Sequence, residues 1–285
     1  LPMKFPDAMT TPPVPASPEK SRIPVMFSAT GSWGLPLGVA IHTLCLHAGS
    51  GRFYDIHIVH DGMDARIIQE LNRVAAPFPQ VSLSFLQLPE EFRLLFQNGN
   101  KDRYSPLAYA RLMAGSLFPQ YGRIVYLDAD VLLAGDVAEL YFSDLRGASV
   151  AAAGDGLALW SIEKGTMHPH LEYMGNYLSS PLSYCNSGVL VLDLDQMRRR
   201  NLEHRLLQQL RNRPEPFPYP DQDILNIALH GDMTTLPPEW NFQFLSWTWD
   251  EEKTRLLRGT EFENVPSISC GRSWKLLHMV GPEKP

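Results

Sequence analysis

The 285-residue sequence has few cysteines, no long apolar run and no excess of positive charge. Its three cysteines, Cys45, Cys185 and Cys270, are odd in number and widely spaced, so they fit neither a disulfide framework nor a zinc-binding pattern. We interpret them as reduced thiols of a cytosolic protein. No run approaches the roughly 18 apolar residues needed to span a bilayer. The formal net charge of −6 gives no basic footprint, and we therefore expect no nucleic-acid partner.

Proline is concentrated at the amino end, where residues 1–22 carry six prolines and no hydrophobic periodicity. This composition predicts an extended or disordered leader. The first residues also lack the basic and apolar regions of a signal peptide, which favours a cytoplasmic location. Residues 23–285 show no internal repeat and no interdomain linker, and we predict that they form one domain.

Strand-like and helix-like apolar patterns alternate through the first half of the chain. Short apolar or alternating runs predict strands, and apolar residues that recur on one helical face predict the helices between them. This alternation predicts an α/β fold with a mostly parallel sheet flanked by helices. The predicted strands are 23–28, 55–59, 81–86 and 124–127, and the predicted helices are 35–48, the segment from Ile67 to Val74, and 109–118.

The second half of the chain is less regular. Leu202, Leu206 and Leu210 recur in register and predict one helix over 195–210. We interpret the three arginines at 198–200 as a solvated face of that helix, with a weak contact to anionic lipid as the alternative. The aromatic side chains between Glu239 and Lys275 are interpreted as core, although sugars also stack on exposed rings. The remaining predictions are strands at 148–153 and 188–192 and a proline-rich loop at 211–220.

Two aspartates, Asp128 and Asp130, directly follow the apolar run from Ile124 to Leu127. Such a run is typical of a strand that is buried on both faces, as in parallel sheets. A buried carboxylate needs a partner, and α/β sheets bind ligands beyond the carboxyl ends of their strands. The pair therefore indicates a site for Mg²⁺ or Mn²⁺, which prefer oxygen ligands. The spacing alone is weak, because turn residues and helix caps also show it.

Four further motifs follow a fixed order along the chain. They are Tyr109-Ala110-Arg111, Asn186-Ser187-Gly188-Val189-Leu190-Val191-Leu192-Asp193, Pro220-Asp221-Gln222-Asp223-Ile224-Leu225-Asn226, and His278-Met279-Val280-Gly281-Pro282-Glu283-Lys284-Pro285. Together with the aspartate pair, this set closely resembles the family 8 glycosyltransferases. These are retaining enzymes that include bacterial lipopolysaccharide galactosyl- and glucosyltransferases and, more distantly, glycogenin. The resemblance runs from about Ile23 to Pro285 and implies the single-domain GT-A fold, a nucleotide-sugar donor and a divalent metal, usually Mn²⁺.

The resemblance implies a metal site with three protein ligands, Asp128, Asp130 and His278. An imidazole nitrogen among oxygen ligands suits Mn²⁺ better than Mg²⁺. The cation would neutralise the charge on the diphosphate of the leaving UDP. Asp128 is also predicted as a residue of the donor-binding site. Gly281 would let the backbone approach the phosphates, and Lys284 would place a point charge on them.

The resemblance also implies the residues around the transferred sugar. Arg111 would reach the donor sugar or the diphosphate, and Asn186 would offer its amide to sugar hydroxyls. Asp221 would bind donor-sugar hydroxyls, Gln222 would lie beneath the anomeric carbon, and Asp155 would contribute to the acceptor side. The structural alternatives are a surface ion pair for the arginine, a turn or strand-start position for the asparagine, and N-terminal helix capping by the aspartate at 221 or 223.

The loop after the first strand departs from the family pattern. Family members often carry an aspartate that binds uracil where this chain has Thr30, and an asparagine where it has Ser32. Threonine still offers a hydrogen bond, so we expect altered base contacts at these two positions and leave the specificity for uracil open.

These observations predict a metal-dependent retaining enzyme that moves galactose or glucose from a UDP-sugar to a glycan or lipid-linked glycan acceptor, such as a lipopolysaccharide core. Because the amide oxygen of Gln222 is a poor nucleophile, we favour attack by the acceptor hydroxyl from the face of the leaving group. Peripheral contact with the inner face of the membrane is left open. The alternatives are a glycogenin-type, protein-directed glucosyltransferase, a catalytically silent nucleotide-sugar or glycan-binding module, and a metal-dependent hydrolase, for which no water-activating base is evident.

Overall fold

The computed structural model describes residues 22–96, 105–156, 169–180, 183–212, 219–243 and 274–280. Its strands are β1 (Arg22–Ser28), β2 (Phe53–His60), β3 (Val81–Gln87), β4 (Arg123–Leu127), β5 (Val131–Leu133), β6 (Val150–Gly154), β7 (Cys185–Asp193), β8 (Met233–Thr235), β9 (Phe242–Gln243) and β10 (Leu276–His278). Its α-helices are α1 (Gly34–His47), α2 (Ala65–Ala75), α3 (Glu90–Phe96), α4 (Ala114–Leu117), α5 (Ala138–Tyr141), α6 (Pro169–Met174), α7 (Leu194–Arg199), α8 (Leu202–Asn212) and α9 (Pro220–Ala228). Short 3-10 helices span Gly31–Trp33, Pro106–Met113 and Pro238–Asn241.

Seven strands form the main sheet in the order β3-β2-β1-β4-β7-β6-β8. Strand β7 pairs antiparallel with both of its neighbours, β4 and β6, whereas every other neighbouring pair in this sheet is parallel. Helices cover both faces of the sheet: α1 and α2 contribute to one apolar cluster, and α7, α8 and α9 contribute to the other. The predicted α/β fold with a mostly parallel sheet is therefore confirmed.

Strand β4 lies at the centre of this sheet and is buried on both faces, as its apolar sequence predicts. Val125 and Leu127 pack into the cluster on the α1 side, and Ile124 and Tyr126 pack into the cluster on the opposite side. Only the β1 neighbour is parallel, because the other neighbour is the reversed strand β7. Asp128 directly follows β4 and therefore lies at the edge of the sheet where this strand ends.

A second, three-stranded sheet brings the carboxyl-terminal segment to the aspartates. Strand β10 pairs antiparallel with β5 and parallel with β9, so that His278 stands opposite Val131. The backbone N–H of Met279 donates to the carbonyl of Asp130 at 2.9 Å. Trp240 and Phe242 are buried beside this sheet, as predicted for core aromatics. Phe244, Trp247 and Trp249 lie outside the described residues.

The predicted helix over 109–118 is confirmed as helical to Leu117, but its first part is not an α-helix. The chain forms a 3-10 helix over Pro106–Met113, followed by the single turn of α4. The Nε of Arg111 donates to the carbonyl of Ala108 at 2.9 Å, and this contact occupies an acceptor that an α-helix would use for its own ladder. Ser105 caps the segment by accepting a hydrogen bond from the backbone of Leu107.

The single helix predicted over 195–210 is wrong, because the chain breaks into α7 and α8. Asn201 lies between them with φ of +52°, in the left-handed region that asparagine tolerates better than most residues. The three arginines at 198–200 are exposed, as predicted, but two of them also contact the protein. Arg198 donates to the carbonyls of Gly115 and Tyr121, and Arg200 forms an ion pair with Asp232. These contacts fasten the turn to the neighbouring segments.

Other predictions can be compared only in part. Cys45 and Cys185 are buried reduced thiols, as interpreted, whereas Cys270 lies outside the described residues. The ends of the predicted loop at 211–220 are helical, because α8 runs to Asn212 and α9 begins at Pro220, and residues 213–218 lie outside the described residues. Of the predicted leader, only Arg22 is described, and it begins β1. Among the helices of the described residues, none is both long enough and apolar enough to cross a membrane.

Candidate active site

The three predicted metal ligands lie together at the carboxyl end of β4. Ligand atoms of Asp128, Asp130 and His278 all fall within 4.8 Å of one another. The Nε2 of His278 is 3.7 Å from the Oδ2 of Asp128 and 3.4 Å from the Oδ1 of Asp130. Two carboxylates and one imidazole nitrogen at these separations suit a divalent cation.

Gly188 leaves the space that a cation at this cluster would need. A β-carbon at position 188 would lie 2.2 Å from the Cε1 of His278 and 2.6 Å from the Oδ2 of Asp128, far closer than ordinary contact. The carbonyl of Gly188 also accepts a hydrogen bond from the backbone N–H of Asp128 at 2.8 Å. Strand β7 therefore holds Asp128 with its backbone and carries no side chain into the space between the ligands. The residues present fit a metal ion.

Arg111 is a buried cation between two of the predicted site carboxylates. Its Nη2 lies 2.9 Å from the Oδ1 of Asp128, and its Nε lies 3.4 Å from the Oδ2 of Asp221. Its Nη1 donates to the carbonyl of Ser187 at 2.7 Å, and its guanidinium lies 4.4 Å from the ring centre of Tyr126. Burial lowers the pKa of Arg111, but the two carboxylates outweigh it and raise the pKa above its ordinary value. The surface ion-pair alternative is therefore wrong.

Tyr126 connects the end of β1 to the metal cluster, and the sequence analysis did not single it out. Its hydroxyl donates to the Oδ1 of Asp128 at 2.7 Å and accepts from the Oγ of Ser28 at 2.9 Å. Burial raises the pKa of Tyr126 well above its ordinary value, so the hydroxyl keeps its proton at neutral pH. Thr30 and Ser32 follow at the end of β1, with their hydroxyls 2.8 Å apart. The period of two along β4 could have identified Tyr126 as facing the same way as Asp128.

A buried cluster of amides and a carboxylate lies on the other side of Gly188. The Oε1 of Gln222 accepts from the backbone N–H of Ser187 at 3.0 Å and from the Nδ2 of Asn186 at 3.2 Å. The Oδ2 of Asp155 accepts from both amide nitrogens, at 3.0 Å from Asn186 and 3.1 Å from Gln222. Three predicted sugar-site residues therefore touch one another, and Asn186 is not simply a strand-start residue.

Asp221 faces Arg111 and Ser187 and does not cap its helix. The hydroxyl of Ser187 donates to its Oδ2 at 3.0 Å. Burial raises the pKa of Asp221 above its ordinary value, although the charge of Arg111 opposes that rise. Capping falls to Asp223, whose Oδ2 accepts from the backbone N–H of Tyr219, the residue that precedes α9, at 3.1 Å. Asp223 therefore takes the predicted capping role, and the sugar contact of Asp221 stays a prediction.

Asn241 is a second residue that the sequence analysis missed. It ends the 3-10 helix over Pro238–Asn241 and is buried beside the metal cluster. Its Oδ1 lies 2.9 Å from the Nδ1 of His278, and its Nδ2 donates to the Oδ1 of Asn186 at 2.9 Å. No local pattern in the sequence indicates this contact, because it depends on how the small sheet packs. Gly281 and Lys284, the predicted phosphate contacts, lie outside the described residues.

The mixed sheet and the strand-end cluster place the chain among the GT-A glycosyltransferase folds. A family model described as glycosyl transferase family 8 matches residues 24–285, and the chain therefore belongs to that family. The predicted family resemblance and the predicted GT-A fold are thus confirmed.

The individual relatives and solved structures share about a fifth to a third of their aligned residues with this chain. The lipopolysaccharide 1,2-glucosyltransferase of Escherichia coli (strain K12) is 31% identical over 186 residues, which cover 64% of this chain and 49% of that protein. The apo structure of the bifunctional glycosyltransferase WbbM has a TM-score of 0.79 at 24% identity, covering 95% of this chain and 48% of the other. The galactosyltransferase LgtC, in complex with donor and acceptor sugar analogs, has a TM-score of 0.71 at 21% identity, covering 92% and 89%. The chain thus spans about half the length of the first two proteins.

Proposed function

We propose that the chain is a metal-dependent, retaining hexosyltransferase that moves galactose or glucose from a UDP-sugar to a glycan acceptor. Two groups of residues carry this proposal because they are in continuous contact. The metal cluster consists of Asp128, Asp130 and His278, and the sugar cluster consists of Asp155, Asn186 and Gln222. Arg111 bridges Asp128 to Asp221, and the next residue, Gln222, reaches Asp155. A site that must hold a diphosphate beside a sugar needs this juxtaposition of cation ligands and buried hydrogen-bonding groups.

The metal would be held by Asp128, Asp130 and His278, and the mixed ligand set favours Mn²⁺ over Mg²⁺. A bound cation supplies Lewis-acid stabilisation of the leaving diphosphate. Arg111 has a separate task. Because it lies between Asp128 and Asp221, its charge keeps both carboxylates oriented towards the site and limits the desolvation cost of the ionised form of the buried Asp221.

The surroundings of Gln222 support attack from the face of the leaving group. Its Oε1 already accepts hydrogen bonds from the N–H of Ser187 and the amide of Asn186, and it carries no full negative charge. These donors reduce the electron density that a nucleophile would need. In the proposed reaction, the acceptor hydroxyl attacks the anomeric carbon, and its proton passes to the departing phosphate oxygen. Gln222 then serves to position the sugar and to stabilise positive charge at the anomeric carbon.

The other donor contacts are proposed from their positions in the chain. Thr30 and Ser32 would meet the nucleobase or ribose, and their hydroxyl pair lies after β1, which runs parallel beside β4. Gly281 and Lys284 would meet the diphosphate. The acceptor is proposed to be a lipopolysaccharide core or another surface glycan, in line with the name of the Escherichia coli relative. A cytoplasmic location and peripheral membrane contact also belong to the proposal.

Calorimetry of UDP binding tests the donor site. The titration is run with and without Mn²⁺ on the parent and on Asp130→Asn, which keeps the size of the side chain but removes its charge. Binding that requires both the cation and Asp130 supports the proposal, whereas equal binding by the two proteins in the presence of Mn²⁺ contradicts it.

Turnover separates the enzyme from a silent binding module. UDP release from UDP-glucose and UDP-galactose is measured with Mn²⁺, with and without a truncated lipopolysaccharide acceptor. Release that depends on the acceptor supports the transferase. A mass increase of the protein itself would instead favour the glycogenin-type alternative, and binding without release would favour the silent module.

A further inference from the structure

A line of hydrogen bonds joins His278 to the sugar cluster through Asn241. The side chain of Asn241 lies between the Nδ1 of His278 and the Oδ1 of Asn186, at 2.9 Å from each. The same Asn186 oxygen accepts from the backbone N–H of Gly188, also at 2.9 Å. All three side chains are buried, so the two amides and the Nδ1 of His278 must find their partners within the protein.

The direction of this line follows from one backbone group. An amide oxygen and nitrogen have nearly the same shape, so their assignment has to come from the hydrogen-bond network. The N–H of Gly188 can only donate, which places the oxygen of Asn186 beside it. Asn241 must then present its nitrogen to that oxygen and its own oxygen to His278. An oxygen acceptor opposite Nδ1 requires the proton of His278 on Nδ1.

We propose that Asn241 is a positioning residue that holds His278 in the tautomer with the proton on Nδ1. In a neutral imidazole, the lone pair is then on Nε2, the nitrogen that faces Asp128 and Asp130. A metal-binding histidine needs this lone pair, and a hydrogen bond to its other nitrogen is the usual device that fixes it. The purpose of the device rests on the proposed metal-dependent function, but the tautomer itself does not.

Nitrogen NMR of the metal-free protein tests the tautomer directly. The histidines are labelled with ¹⁵N, the spectrum is recorded at a pH of about 8.5, well above the ordinary histidine pKa of about 6.5, and the His278 signals are identified by their loss in His278→Gln. We expect a protonated Nδ1 and an unprotonated Nε2 for His278. The opposite pattern would overturn the proposal whether or not the protein binds a metal.

Two substitutions separate positioning from packing. Asn241→Leu keeps the size of the side chain and removes both hydrogen bonds, whereas Asn241→Asp keeps an acceptor for His278 but cannot donate to Asn186. A purely structural role would make the two variants behave alike. We expect Asn241→Leu to lose the Nδ1–H signal of His278 and Asn241→Asp to retain it.

Mn²⁺ binding by the same proteins supplies the second measurement. Electron paramagnetic resonance of free Mn²⁺ is expected to show an affinity about 10–100-fold weaker in Asn241→Leu, because loss of a partner of a ligating histidine has that effect. Asn241→Asp should bind Mn²⁺ with an affinity close to that of the parent. Thr43→Val is the matched control, since the Thr43 hydroxyl supports the same small sheet through the N–H of Leu133 and lies outside the line.

The outcomes distinguish this proposal from the proposed function. Parent-like Mn²⁺ binding and an intact Nδ1–H signal in Asn241→Leu would refute a positioning role. If the parent and Asp130→Asn bind Mn²⁺ equally, the proposed metal site fails, while the parent NMR spectrum still decides the tautomer. A parent spectrum with Nδ1 protonated would then support the assignment of Asn241 on its own.

Discussion

Replacement of Gly188 by alanine adds one methyl group at the centre of the candidate metal site. The new β-carbon would lie 2.2 Å from the Cε1 of His278 and 2.6 Å from the Oδ2 of Asp128, whereas ordinary contact begins at 3.4 Å. The histidine ring must therefore retreat by about 1.2 Å, the difference between 3.4 and 2.2 Å. Metal sites tolerate errors in ligand distance of only about 0.2 Å. We therefore expect His278 to be lost as a ligand.

The expected result is a selective loss of metal binding. Loss of an outer partner of a ligand costs about 10–100-fold in affinity, so displacement of the ligand itself should cost Mn²⁺ affinity more than about 100-fold. Overpacking should lower the free energy of unfolding by about 1–3 kcal/mol, which leaves the protein folded. Calorimetry with Mn²⁺ and urea unfolding in its absence measure the two effects separately.

Gly38→Ala is the matched control for this substitution. A β-carbon at Gly38 would lie 3.6 Å from the Cδ2 of Leu71, an ordinary contact, and the residue lies within α1. Because alanine is the better helix former by about 1 kcal/mol, we expect unchanged Mn²⁺ binding and equal or greater stability. Parent-like Mn²⁺ affinity in Gly188→Ala would show that the cation does not bind between Asp128 and His278 and would refute the reasoning.

Three other substitutions test neighbouring parts of the structure. Tyr126→Phe removes the hydroxyl that donates to Asp128, and we expect Mn²⁺ affinity to fall by about 10-fold in calorimetry while the ring contact with the arginine is kept. Arg111→Ala leaves Asp128 and Asp221 without their buried cation, and urea unfolding should show a loss of about 3–5 kcal/mol. Burial lowers the pKa of His57 to about 4, so the unfolded chain binds a proton at higher pH than the folded one. The neutral buried imidazole therefore contributes to stability above the ordinary histidine pKa. We expect the free energy of unfolding to fall by about 2–3 kcal/mol as the pH falls towards 4, and urea unfolding of His57→Gln should lack this part of the decline.

The sequence predicts those site residues whose positions depend on the local pattern of apolar residues. The apolar run before Asp128 fixes a central strand, and the carboxyl end of such a strand lies at the binding edge of an α/β sheet. Arg111 was predicted as a donor contact on a helix, but its segment is a 3-10 helix, and its guanidinium is buried between two carboxylates. Local propensity contains no information about this tertiary contact.

Long-range pairing controls the remainder. His278 reaches the aspartates because β10, a strand of three residues, pairs with β5 and β9. A strand this short has too little pattern for its partner to be deduced, so the family resemblance, and not periodicity, predicted its role. Asp155 meets Asn186 after an irregularity between Ala152 and Gly154 shifts the register of β6 against β7. A bulge of this kind depends on the partner strand and leaves no signature in the sequence.

The first residues of β7 place both kinds of backbone group at the binding edge. The carbonyl of Ser187 accepts from Arg111, and the carbonyl of Gly188 accepts from the N–H of Asp128. The N–H groups of Ser187 and Gly188 fix the amide oxygens of Gln222 and Asn186, respectively. Two backbone N–H groups at the start of one strand therefore fix the orientation of both side-chain amides. Through the proposed contact of Asn241, the second of them also determines which nitrogen of the distant His278 carries its proton.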